Sequence, residues 1–190
     1  MQLGPGIFAT NESVMYHWRS FKAQINLGLR VLLNQYPKLS FFSLNPNYLE
    51  LRYVDVFNRS LLGTVAMFDF VEKGTSLRLQ LPKMLLDKGL FSGDALGRFA
   101  CQRTLKGWKE AWFKFEIGSG RGENSEEIIQ AQTHIMCKSP GVPDLETHSI
   151  FLSQINQWLE FAHDIASPFF KELISSELMR KFQTENESHK

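Results

Sequence analysis

The stretch from Ala111 to Lys138, AWFKFEIGSGRGENSEEIIQAQTHIMCK, decides the fold. Phe113, Phe115 and Ile117 alternate with Lys114 and Glu116, and further on Ile129, Ala131, Thr133, Ile135 and Cys137 alternate with Gln130, Gln132, His134 and Lys138. A period of two sends one set of side chains to a buried face and the other to a wet face, which is the geometry of a strand. The residues between the two runs, Gly118 to Glu127, are rich in Gly, Ser and charge. The pair therefore reads as an antiparallel hairpin with a long mobile tip.

Working back toward the N-terminus, Leu49, Leu51 and Tyr53 alternate with Glu50 and Arg52, and Val54, Val56 and Phe57 extend the apolar character to both faces. That is a second clear strand. Leu77, Leu79 and Leu81 against Ser76, Arg78 and Gln80 predict another, closed by Pro82, and Leu96 to Leu105 has a weaker strand preference. A short helical turn is predicted over Lys83 to Lys88, and Leu3 to Ala9, containing Gly4, Pro5 and Gly6, reads as a turn feeding a brief strand.

Helices bracket these strands. Val14, Trp18, Phe21, Ile25, Leu29, Leu32 and Tyr36 recur every three or four residues and fall on one stripe of a helix from Asn11 to Tyr36. Thr10, Asn11 and Ser13 offer side-chain oxygens to cap its start, and Pro37 ends it. Near the C-terminus, Leu152, Ile155, Leu159 and Ala162 form a second stripe, joined by Phe151 and Trp158. Ser167 followed by Pro168 predicts a break there, with Ser capping a new helix whose first residue is Pro, so that two segments abut, Thr147 to Ala166 and Pro168 to Phe182. The expected class is α+β: an antiparallel sheet of about four to six strands packed against one long N-terminal helix, centred on Trp18 to Leu33, and a C-terminal helical region. A single domain over 1–182 with a frayed tail over 183–190 follows.

Composition bounds the function. A chain of 190 residues, 43% hydrophobic and 22% charged, has the profile of a globular protein. Its 21 basic and 20 acidic residues leave a formal charge of +1, so no long-range field favours nucleic acid, an anionic membrane or acidic substrates. Cys101 and Cys137 are too few for a disulfide framework or a zinc site and point to reduced thiols. No stretch approaches the ~18 uninterrupted apolar residues of a membrane span, and Met1 to Thr10 lacks the pattern of a secretory signal. A soluble cytoplasmic protein is expected.

The glycine cluster Gly118, Ser119, Gly120, Arg121, Gly122 invites comparison with a phosphate cradle, but such a cradle lies between a strand and a helix N-terminus. Here a strand follows and the Lys-Ser/Thr ending is missing, so the cluster reads as the hairpin tip. An enzyme site, if the chain has one, would draw on Arg121 or Glu123 in that tip. His163, beside Asp164, and His148 are fifteen residues apart. They would lie about 22 Å from each other along a continuous helix, too far to share an ion, and a capping or surface role is expected for them. His17 and His134 are isolated and read as hydrogen-bonded structural residues. Glu50 and Asp55, an odd number of residues apart on one strand, project to opposite faces. G-x-S-x-G, H-E-x-x-H and C-x-x-C are all missing. Trp108, Trp112, Phe113 and Phe115 near Arg103, Lys106, Lys109 and Lys114 resemble a stacking surface for single-stranded nucleic acid, but the neighbouring acids and balanced charge favour ordinary sheet packing. No catalytic, cofactor-binding or metal-ligating set emerges.

Four phrases carry a resemblance. Leu3 to Asn11 (LGPGIFATN), Tyr16 to Phe21 (YHWRSF), Leu49 to Phe57 (LELRYVDVF) and Trp158 to Ile174 (WLEFAHDIASPFFKELI) together resemble, in that order, a sporadically distributed prokaryotic family of unassigned function. The resemblance implies no activity. It does imply a further N-terminal section that this chain lacks, whose absence would leave an open sheet edge or an exposed apolar face, and hence predicts self-association or a partner chain. The expected function is a non-enzymatic binding or protein-interaction module, an accessory or defence-associated component. The alternatives are a domain enclosing a small apolar ligand in its aromatic interior, or an enzyme with a site near the loop 118–127.

Overall fold

Alternation of period two recurs in the computed structural model as a four-stranded antiparallel sheet in the order β3-β6-β5-β4, formed by β3 (Tyr48–Asn58), β4 (Arg98–Thr104), β5 (Ala111–Arg121) and β6 (Glu127–Lys138). A separate two-stranded ribbon pairs β1 (Gln2–Gly4) with β2 (Ile7–Ala9). The helices are α1 (Trp18–Gln35), α2 (Arg59–Leu62), α3 (Met67–Asp69), which runs on into a π-helical turn Phe70–Gly74, and α4 (His148–Leu173). The chain is α+β. The structure describes residues 2–4, 7–12, 17–35, 46–63, 66–80, 82, 97–122, 125–138 and 148–181. The helical turn expected over Lys83 to Lys88 lies outside them.

The chain divides into two compact units, one of Met1–Asn47 with Ser139–Phe161 and one of Tyr48–Lys138 with Ala162–Lys190. In the first, α1 buries Ile25, Gly28, Leu29 and Leu33, and residues 148–161 of α4 bury Phe151, Ile155, Trp158 and Leu159. These rows follow the three-and-four spacing of one helix face. Polar contacts join the two helices: Trp18 donates its indole N–H to Glu160 Oε2 at 3.0 Å, Lys22 forms an ion pair with Glu160, and Asn26 and Asn156 bond each other. The described part of α1 begins at Trp18, with the Phe21 amide donating to His17. Thr10 and Asn11 therefore do not cap it, and the Thr10 hydroxyl is buried with no hydrogen-bond partner among the described residues.

In the second unit the sheet has an inner face of odd-numbered residues. Leu51, Ile135 and Phe113 lie side by side across β3, β6 and β5, and so do Phe57 and Ile129 on β3 and β6. All five are buried. Phe169 of α4 meets Phe113 and Phe115 edge-on, with ring centroids 4.7 and 4.9 Å apart, and Phe57 meets Phe70 at 4.8 Å. Such tilted contacts add about 0.5–1.5 kcal/mol beyond area burial, so these phenylalanines fill their space with one another.

Three expectations are corrected. The hairpin tip is shorter than Gly118 to Glu127, because β5 runs on to Arg121, with Gly118, Ser119 and Gly120 paired to Gln130, Ile129 and Ile128. Glycine lacks a side chain but keeps both backbone groups, and the partner strand holds them in the ladder. The Gly122 amide closes the turn on Glu126 O at 2.9 Å. Second, α4 does not break at Ser167 and Pro168 but runs through Pro168 to Leu173. The interruption falls at Ile174 and Ser175, where the Ser175 hydroxyl accepts the Leu178 amide and starts a helical turn over 176–181. Third, residues 77–80 alternate between half-buried and exposed as a strand would, but join no sheet. Thr75, just before them, bridges to Ile174, while the Arg78 guanidinium and the Leu77 amide bond back to Thr75.

Candidate functional site

The parity that builds the sheet also sorts its ionisable groups. On β3, Glu50 and Arg52 lie on the outer, even-numbered face while Tyr53 and Asp55 share the inner face with Leu51 and Phe57. Glu50 and Asp55 thus point to opposite sides, as their odd spacing requires.

On the outer face Glu50 Oε1 lies 2.6 Å from His134 Nδ1, and His134 Nε2 lies 3.2 Å from Gln132 Oε1. Both ring nitrogens face side-chain oxygens. The hydrogen bond from His134 holds the Glu50 carboxyl below its usual range, assisted by the nearby charge of Arg52. Tyr48 donates a long hydrogen bond to the second Glu50 oxygen at 3.4 Å, and Gln132 passes the chain on to Gln130. Beside it, Glu116 accepts from both Arg98 and Lys114, at 2.7 and 2.5 Å. His134 is a hydrogen-bonded structural residue, as its isolation in the sequence implied, and its ring is held at both ends.

On the inner face the Tyr53 hydroxyl lies 2.7 Å from His163 Nδ1 on α4. His163 is half-buried and lies inside α4, so it caps no helix terminus. One step along β3, Asp55 lies opposite Ala131 with Phe57 beside it. Burial alone pushes its carboxyl up to about 6, since no polar group among the described residues compensates the charge. Desolvated but still partly exposed, Asp55 changes charge close to neutral pH.

The sequence held a signal for these residues that spacing alone did not weigh. Asp55 has the parity of Leu49, Leu51 and Phe57, so an acid stood in a core-facing register, and His163 follows Leu159 by one helical turn. Arg121, in contrast, is exposed at the end of β5 across from Glu127 and takes part in no ion pair among the described residues. Glu123 lies outside the described residues. Phe113 and Phe115 are on the inner face and Trp112 on the outer one, under the Lys138 ammonium at 5.5 Å, so the aromatics do not form one stacking platform. The Cys137 thiol is buried, donates to Lys109 O at 3.2 Å and is pushed up by burial, which removes it from thiolate chemistry.

Among the described residues no three of His, Cys, Asp and Glu are grouped as a metal site. Nor is any helix there long and apolar enough to cross a membrane. No protein family, curated protein or solved structure matches the chain.

Proposed function

We propose that this protein is a non-enzymatic interaction module whose docking surface is strand β3. One observation carries the reading: among the described residues β3 ends the sheet, and its outward row exposes Tyr48, Val54 and Val56 at 44%, 43% and 49% of their surface. Exposed apolar residues along an edge strand favour addition of another chain, through main-chain hydrogen bonds and alternate side chains. The ionisable groups support the same reading, because on the outer face Glu50 pairs with His134 and Glu116 with Lys114. The self-packed rings of Phe113, Phe115 and Phe169 speak against the apolar-ligand alternative. The accessory role implied by the family resemblance is compatible with a docking protein.

A photo-crosslinking amino acid at Val54 tests this in the protein's native cells. A discrete adduct is expected from position 54 and none from the exposed Gln102 of β4. Indiscriminate adducts from both positions, or none from 54, would sink the proposal.

A further inference from the structure

The outer row of β3 reads Tyr48, Glu50, Arg52, Val54, Val56, an order in which one acid and one base stand side by side with apolar residues outside them. Among the described residues no strand pairs with the other edge of β3. Two copies of such a strand can pair antiparallel about a two-fold axis perpendicular to the sheet, which keeps even-numbered residues of both copies on the same face. The axis can pass through any residue, and the side chains decide which.

With the axis at Glu50, two carboxylates face each other, and with the axis at Arg52, two guanidinium groups do. Like charges directly opposite are destabilising. Centring on Tyr53 would overlap the strands most fully but would set Glu50 against Val56 and Arg52 against Val54, and on the inner face would bring desolvated Asp55 against Leu51. Centring on Leu51 does the reverse. Glu50 then faces Arg52 of the second copy, and Arg52 faces Glu50. Tyr48 faces Val54 twice over, Leu51 meets its own copy and Leu49 meets Tyr53. Asp55 falls outside the paired stretch. His134 occupies Glu50 Oε1, while among the described residues Glu50 Oε2 has only the 3.4 Å hydrogen bond from Tyr48 and can accept from the incoming guanidinium.

We infer that β3 docks a second copy of this chain, antiparallel and in the register centred on Leu51, joining two four-stranded sheets edge to edge. This rests on the reading of β3 as the docking surface and names its occupant. The pairing covers only the stretch 48–54, so the dimer forms and dissociates with concentration.

Sedimentation velocity of the full chain over a concentration series tests it, with Glu50→Lys and Arg52→Glu variants whose folding is checked by circular dichroism. The wild type should shift from monomer to dimer. Each variant alone places like charges opposite each other twice and should weaken dimerisation at least tenfold. An equimolar mixture of the two restores both opposite-charge contacts and should recover the dimer. If Glu50→Lys fails to fold, a Tyr48→Cys, Val54→Cys chain serves instead, and should oxidise to a covalent dimer through cysteines facing each other across the pair. A wild type that stays monomeric at all concentrations, or a dimer indifferent to Arg52→Glu, would overturn the inference. A monomer whose residue 54 still crosslinks to a different protein would overturn this register while leaving β3 as the docking surface.

Discussion

Asn26 of α1 and Asn156 of α4 clasp each other: each carboxamide donates to the other's oxygen, at 2.9 and 2.8 Å, and each also donates to the carbonyl one turn back on its own helix, Lys22 O and Leu152 O. The two side chains use both of their donor hydrogens, so the pair is satisfied only as a pair.

Replacing one asparagine leaves the other half-satisfied in a partly buried setting. Asn156→Ala should lower unfolding stability by about 1–3 kcal/mol, and Asn26→Ala similarly. The double variant should lose less than the sum, with a coupling of roughly 0.5–3 kcal/mol. Urea denaturation of the four chains measures this. Strict additivity would mean that the clasp is not formed in solution.

Pro168 provides a direct test because two readings give different outcomes. If it began a helix, its missing N–H would cost nothing and replacement would gain nothing. Inside α4 it withholds the hydrogen bond to the carbonyl of Asp164, a cost of up to about 3 kcal/mol in a helix interior. Its ring is exposed, so little packing is lost on removal. Pro168→Ala should therefore raise stability by about 1–3 kcal/mol, read as a higher thermal midpoint. A midpoint that does not rise would show that the helix begins anew at this residue.

Asp55 predicts a pH dependence with a definite direction. Its folded-state carboxyl, at about 6, lies above the ordinary value of 3.8, so the folded chain holds the proton more tightly than the unfolded one. The protonated form is favoured in the fold, and stability falls as pH rises from near 4 through 6. A shift of this size corresponds to a penalty of about 1–3 kcal/mol at neutral pH once partial exposure is allowed for. Asp55→Asn should stabilise the protein by that amount at pH 7.5 and by almost nothing at pH 4. Equal effects at both pH values would remove burial as the cause.

Much of this was written into local sequence. The alternations at Leu49 to Tyr53, Phe113 to Ile117 and Ile129 to Cys137 predicted β3, β5 and β6. These succeed because side-chain direction repeats with the backbone period, so a few neighbouring residues suffice to assign a face. The same logic placed Glu50 and Asp55 on opposite sides.

Other features needed the whole chain. The glycines of Gly118 to Gly120 look like a loop until β6 supplies the partner groups that hold them in a ladder, and Ser167 with Pro168 looks like a break until α4 carries the helix through. The Tyr53–His163 bond joins residues 110 apart and the Glu50–His134 pair residues 84 apart. No local spacing encodes such a contact, because it exists only after strand register and helix packing have brought distant side chains together. Local periodicity determined which residues face inward; three-dimensional pairing decided which of them meet.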